Sequence, residues 1–267
     1  MRIDAVPVAD RAGGALFGTF VGDVLGMPFE GLAHATIPED VEMIEARRGQ
    51  GTYTDDTQMM IALAESLIAR GRVDAEHLAR AFFDAYVLDR GYGAGTQRVF
   101  ALWCSGVPVA TAAGLVFDGQ GSRGNGAAMR IAPVAVLFRD DHERLCLEAA
   151  ASARVTHAHS VGVDGAVVQA AAIGAALRGE DILDVARSAA TTAELRGALD
   201  DVEGLLGITR APAEVQARLG SSADAAESVA AALYSALAHH RFEAAVRFAV
   251  RLGGDTDTVA AMAGAVT

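Results

Sequence analysis

The chain has 267 residues, 52% of them hydrophobic but only 6% aromatic, and its 34 acids outnumber 22 Lys and Arg for a formal charge of −12. That length suits one large domain, read as a single domain over 1–267, with an aliphatic, Ala-rich core. The acidic balance excludes a nucleic-acid backbone and an anionic membrane surface as partners, though not a small anionic ligand met by metal ions or backbone N–H groups.

The N-terminus, MRIDAVPVAD, carries acids where a signal peptide would be basic and then apolar. Cys104 and Cys146 have neither metal-ligand spacing nor a disulfide framework. A soluble, cytoplasmic protein is expected. From Ala12 to Pro28 an apolar segment holds Asp23 and falls slightly short of the ~20 residues of a membrane span. Its Gly14, Gly18, Gly22 and Gly26 recur every fourth residue, on one helical face. Glycine costs about 1 kcal/mol relative to Ala inside a helix. The stripe therefore predicts close helix–helix approach in the middle of a bundle, with a membrane dimer motif as the alternative. Asp23 and Glu30 sit on or just beyond this helix, in GDVLGMPFE.

The stretch GTYTDDTQMM then sets Asp55 and Asp56 between Thr54 and Thr57 at the mouth of a helix. Met60, Leu63, Ala64, Leu67 and Ile68 form its apolar stripe, and Gly71 ends it. Leu78, Phe82, Ala85 and Tyr86 repeat the pattern behind Asp74. RGYGAGT, from Arg90 to Thr96, reads as a flexible loop between two helices. In Gly124-Asn125-Gly126-Ala-Ala-Met-Arg130, glycines ahead of a helix free N–H groups to face an anion, and a plain turn fits equally well. Thr156-His157-Ala158-His159 holds a His-x-His pair without a third N or S ligand at a recognisable spacing, which argues against zinc. Ala-rich stretches at roughly 160–178 and 222–239 follow, then Phe242, Ala245, Val246, Ala249 and Val250, running up to Gly253-Gly254. No strand pattern stands out. The expected fold is all-α, built from many short helices.

A second acidic cluster, Asp255-Thr256-Asp257-Thr258, opens a last small-residue helix from Val259 to Val266. One Asp suffices to cap a helix. Four carboxylates flanked by Thr hydroxyls form an oxygen-only set, and if the fold gathers them their repulsion requires divalent cations. Oxygen ligands select Mg²⁺, Mn²⁺ or Ca²⁺ over Zn²⁺, and four Asp suit two ions better than one.

The order GDVLGMPFE, GTYTDDT, GNGAAMR, THAHS and LGGDTDT resembles the ADP-ribosylglycohydrolase family over essentially the whole chain. The resemblance implies a single-domain orthogonal multi-helix bundle with a central cleft holding two Mg²⁺ or Mn²⁺ ions. It implies hydrolysis of the bond between the distal ribose of ADP-ribose and an acceptor, on an ADP-ribosylated protein or a small ADP-ribose conjugate. By position, Thr54, Asp55, Asp56, Asp255, Asp257 and Thr258 resemble the metal ligands, with Glu30, Asp56 and Asp257 as the catalytic set. Gly124, Asn125 and Gly126 resemble part of a diphosphate cradle, and His157 a ribose-contacting histidine.

Cleavage builds positive charge on the ribose, and Glu30 is the carboxylate expected to orient or deprotonate a water or to protonate the leaving group. ADP-ribosylarginine is the expected acceptor conjugate, although the arginine-directed relative has an Asp about where this chain has Tyr92, which is expected to pack on the ligand. The alternatives are ADP-ribosylserine, poly- or O-acetyl-ADP-ribose, or ADP-ribose binding without turnover. A prenyl-diphosphate enzyme is disfavoured because position 59, where D-D-x-x-D needs an acid, is Met59. The sequence stops at Val266-Thr267 inside a predicted helix, so truncation at this end is a further expectation.

Overall fold

The computed structural model describes residues 6–46, 49–208, 210–239 and 241–267. Helices dominate: α1 (Val8–Gly26), α2 (Asp55–Arg70), α3 (Ala75–Asp84), α4 (Ala94–Cys104), α5 (Val109–Leu115), α6 (Ala132–Phe138) and α7 (His142–Arg154). They continue with α8 (Ser160–Arg178), α9 (Ile182–Ala189), α10 (Ala193–Leu205), α11 (Pro212–Leu219), α12 (Ala225–Ala238), α13 (Phe242–Arg251) and α14 (Thr256–Val266). Against the strand-free expectation, β1 (Glu45–Ala46) and β2 (Gly49–Gln50) pair antiparallel as a two-residue ribbon. Two residues per strand leave no alternation to read in a sequence.

Local signals set the helix ends. The side chains of Thr54, Asp74, Asp141 and Asp224 accept hydrogen bonds from the first turns of α2, α3, α7 and α12, and so satisfy N–H groups that have no partner within the helix. Gly71 ends α2 in the left-handed conformation, as its position predicted. Tyr86 lies beyond α3, which ends at Asp84. The RGYGAGT segment is only partly loop, because Ala94, Gly95 and Thr96 form the first turn of α4.

Helix α8 runs through the core, buried from Val161 to Ala175, among α6, α7, α9 and α12. Its Ala and Gly side chains let these neighbours come close. Helix α1 lies antiparallel on α14, and the glycine stripe is the seam. A Cβ on Gly18 would sit 2.1 Å from the Gly264 carbonyl oxygen, one on Gly22 2.2 Å from that of Ala260, and one on Gly26 2.4 Å from that of Thr256. Gly14, the fourth member, faces open space. With the turn after it, α1 covers Val8–Phe29, so it is longer than the sequence reading allowed and has the length and composition to cross a bilayer, as does α8. Packing against α14 and the neighbouring helices gives these apolar faces a protein partner here. The seam also has a consequence for chemistry, since it brings the start of α14 beside the end of α1.

Candidate active site

Asp23 near the end of α1 is fully buried, and its carboxylate needs donors. It finds them at the start of α2. The Thr54 N–H lies 3.0 and 3.1 Å from its two oxygens, the Thr57 N–H donates at 3.1 Å and the Thr57 hydroxyl at 2.6 Å. A buried acid in the first helix thus fixes the N-terminus of α2 and aims Asp55 and Asp56. Burial pushes the Asp23 carboxyl up, and the Thr54 and Thr57 donors pull it back.

The second cluster is fixed by the same end of α1. Thr256 donates its hydroxyl to the Gly26 carbonyl at 2.8 Å, which explains why this threonine belongs to the seam. Gly253 and Gly254 both have positive φ, a conformation that glycine adopts without steric cost. Through them the chain pairs with residues 31–33, where Gly31 N–H donates to the Gly254 carbonyl and Gly254 N–H to that of Leu32. That pairing brings Glu30 to the same floor as Asp255. The Thr258 hydroxyl reaches Asp56 Oδ2 at 3.4 Å, joining clusters some 200 residues apart.

Above this floor opens a cleft of about 740 Å³. Glu30, Asp55, Asp56, Asp255, Asp257 and Thr258 line its base. Gly124, Asn125, Gly126 and His157 form one wall, while Gly91, residues 93–96 and Phe117 form another. The expected glycine turn is present, but it is a single 3-10 turn, Asn125–Ala127, and the next helix starts only at Ala132, followed by Pro133. A helix macrodipole therefore does not stand behind it. The turn is held by Asn125 N–H to the Ala223 carbonyl and by Asn125 Nδ2 to Asp255 Oδ2 at 2.7 Å, so the cradle is tied directly to the acidic floor.

The floor acids repel one another. Burial, then Asp23, pushes the Asp55 carboxyl up to about 8. Burial likewise raises Asp56, with Asp23 and Asp55 adding to it, and Asp257, with Asp56 and Asp255 adding to it. Asp56 Oδ1 is buried with no hydrogen-bond partner. Its Oδ2 instead receives the Thr54 hydroxyl at 3.1 Å, and Thr54 itself lies behind Asp56, not on the cleft surface. Among the described residues no three His, Cys, Asp or Glu side chains close on an ion by themselves.

Tyr92 is a correction. Its ring is buried against Tyr86 and Phe100, with centroids 4.7 and 6.0 Å away, and the cleft wall beside it is made by Gly91, Gly93, Ala94, Gly95 and Thr96. The exposed aromatic in the cleft is Phe117, which with Asp118 adopts positive φ. Nothing in its local pattern marked it. His159 is the N-cap of α8, its Nδ1 accepting from Val161 N–H, and no third N or S ligand joins the His-x-His pair among the described residues.

The sequence pattern of the ADP-ribosylglycohydrolase family matches residues 4–267. The chain is 31% identical to ADP-ribosylhydrolase ARH3 of Gallus gallus, with 97% of this chain and 85% of that protein covered. It is 33% identical to ADP-ribosylhydrolase ARH3 of Homo sapiens, with 96% and 84% covered. Among solved structures it is similar to an ADP-ribosylglycohydrolase-related protein complex, with a TM-score of 0.79, 32% identity, and 97% of this chain and 86% of that chain covered.

Proposed function

The chain belongs to the ADP-ribosylglycohydrolase family, a group of glycosidase-type hydrolases, and from that premise we propose that it hydrolyses O-linked ADP-ribose conjugates, ADP-ribosylserine first among them, with the help of divalent cations. The observation that carries the acceptor class is the wall at 91–96. A guanidinium acceptor calls for a carboxylate that binds it through charge-assisted bidentate hydrogen bonds. The wall offers glycine, alanine and threonine, and the Tyr92 ring is turned into the core. Asp224, on the opposite side, is engaged by Arg123 at 2.8 Å. A neutral hydroxyl acceptor needs no such partner. This replaces the arginine conjugate expected from the sequence, and the similarity to ADP-ribosylhydrolase ARH3 proteins leans the same way.

The floor fits a pair of Mg²⁺ or Mn²⁺ ions. Its donors are all oxygen, its carboxylates are crowded, and the buried Asp56 Oδ1 has no partner within the protein. Asp55, Asp56, Asp255, Asp257 and Thr258 would hold the ions, with Thr54 bracing Asp56. When bound, the ions would supply Lewis acidity and offset the pooled negative charge. The protein's own part follows from its geometry. The 124–126 turn and His157 would bind the diphosphate and ribose, and Asn125 would keep that turn in register with Asp255. Glu30, on the cleft surface and close enough to raise Asp55 and Asp257, would move the proton on the attacking water or the leaving oxygen.

The test is a panel of ADP-ribosylated serine, arginine, polymer and O-acetyl substrates, each with Mg²⁺ and with excess chelator. Cleavage of the serine conjugate with the arginine conjugate spared is the expected result. Cleavage of the arginine conjugate alone overturns the acceptor class, and full activity in chelator overturns the role of the ions.

A further inference from the structure

Among the described residues Arg130 is the largest side chain buried completely, and none of their ion pairs gives it a carboxylate. No carboxylate among them touches it, although the Asp55 charge favours its charged form from a distance, and burying such a cation is costly, so its position needs a purpose. Its guanidinium stacks over the Phe82 ring, 4.5 Å from the centroid. Nη1 donates to the Gly126 carbonyl at 3.0 Å, and Nη2 donates to the Ser152 carbonyl at 3.2 Å and to Thr156 Oγ1 at 2.8 Å. The same Oγ1 lies 2.8 Å from His157 Nδ1.

The direction of that last hydrogen bond can be worked out. A threonine hydroxyl has one proton and two lone pairs. The guanidinium can only donate, so it takes a lone pair and leaves the hydroxyl proton to find an acceptor. His157 Nδ1 is the one acceptor that Thr156 Oγ1 meets among the described residues. If Nδ1 carried a proton it would also donate, and the hydroxyl proton of a fully buried residue would be stranded. The imidazole therefore carries its proton on Nε2. Burial, with Arg130 beyond the threonine, also keeps the ring neutral, its pKa down to about 3.

Nε2 faces the glycine turn. A Cβ placed on Gly126 would lie 3.2 Å from it, and one on Gly124 3.8 Å. Among the described residues Nε2 makes no hydrogen bond, and His157 lines the cleft.

We infer that Arg130 is a positioning residue, which acts through Thr156 to lock His157 as a neutral Nε2–H donor beside the Gly124–Gly126 turn, while its second arm ties down the turn itself through Gly126. The cleft so gains one fixed side-chain donor for a diphosphate or ribose oxygen, at a spot where a protonated ring would add a charge and the other tautomer would present a lone pair to an anion. Use of that donor in binding rests on the proposed ADP-ribose substrate. The tautomer itself does not.

The experiment is in two arms. In ligand-free protein with ¹⁵N-labelled histidine, the His157 shifts should show a protonated Nε2 and a hydrogen-bonded, unprotonated Nδ1 at neutral pH. Thr156→Val should move the Nδ1 signal to that of a free acceptor, and Thr156→Ser should restore it. A protonated Nδ1 in the wild type, or a Val variant with unchanged shifts, overturns the inference. In the second arm, calorimetry with ADP-ribose should show affinity about tenfold lower for Thr156→Val and near wild type for Thr156→Ser, the loss expected for one hydrogen bond. Equal affinity of the Val variant and wild type removes the donor role. Failure of the wild type to bind ADP-ribose would instead count against the proposed function, with the shifts still deciding the tautomer. Arg130→Lys keeps the charge but cannot span three acceptors. Because Thr156 remains, it should release the tautomer, seen as a protonated Nδ1 signal appearing beside the Nε2–H form, and lower ADP-ribose affinity. Should it fail to fold, the Thr156 pair decides.

Discussion

Adding one methyl group at Gly22 should do more damage than its size suggests. The new Cβ would lie 2.2 Å from the Ala260 carbonyl oxygen, 2.4 Å from its carbon and 2.6 Å from the Ala261 nitrogen. All three are backbone atoms of α14, so no rotamer change relieves the clash. Restoring contact at ~3.5 Å means parting α1 from α14 by about 1 Å, and a gap of that size forfeits roughly a quarter to a half of the dispersion attraction along the seam. Overpacking a well-filled core costs about 1–3 kcal/mol, and a clash with backbone belongs at the top of that range. Against it stands the ~1 kcal/mol that Ala gains over Gly in a helix interior. The net loss is about 2 kcal/mol, or ~4–8 °C in Tm for a chain of this size.

Gly14→Ala is the matched control. It lies on the same stripe of the same helix, but nothing stands within 4 Å of its Cβ, so only the propensity gain applies and Tm should rise by ~2–3 °C. Differential scanning calorimetry of both variants decides the matter. Equal shifts, or a more stable Gly22→Ala, would refute the claim that the stripe exists for close approach. Turnover should follow stability at Gly22 alone, because the seam sets the reach of Thr258 to Asp56.

Three further outcomes follow from the site. Asp56→Ala and Asp257→Ala should each abolish turnover and weaken Mg²⁺ binding by calorimetry, while the helical circular dichroism stays intact. Glu30→Gln should keep ADP-ribose affinity and lower kcat by ~10²–10⁴, the usual range for a general acid–base group, and an unchanged kcat would leave it a structural role only. In chelator, the His157 and Asp55 contributions oppose each other between about pH 3.8 and 6.5. The raised Asp56 and Asp257 carboxyls tip the balance, so net stability should fall as pH rises above about 4, each group contributing at most about 1.4 kcal/mol per pH unit. His157, down to about 3, makes the unfolded chain bind the extra proton, so its own contribution is lost as pH falls from 6.5 towards 3. Asp55, up to about 8, makes the folded chain bind it, so stability is lost as pH rises from 3.8 towards 8. Saturating Mg²⁺ should flatten that fall with rising pH only, which urea titrations across pH will reveal.

Sequence periodicity reports which face of a helix is apolar, and on that basis α2 and α13 could be read, although Ile68 and Phe242 at the ends of their stripes are exposed and Met59 beside the α2 stripe is buried. It does not report which face meets which. The seam was legible as a demand, since a run of glycines inside a helix needs compensation, but its partner α14 lies at the other end of the chain. The site divides the same way. Residues whose chemistry is local, the Asp55–Asp56 pair and the Asp255–Thr258 run, announce themselves. Asp23, Arg130 and Thr156 do not, because each matters only through donors or acceptors contributed by other segments. Yet two of these three left a physical trace. Asp23 interrupts a glycine-rich apolar helix, and Arg130 ends GNGAAM just before the apolar run IAPVAV. A charge in such a setting must be solvated by something, and inside a protein only other polar groups can do it. The threonines that solvate Asp23 are the two that flank the Asp pair, so the acid that looked like an exception to the core was in fact the mount for the acids beside it.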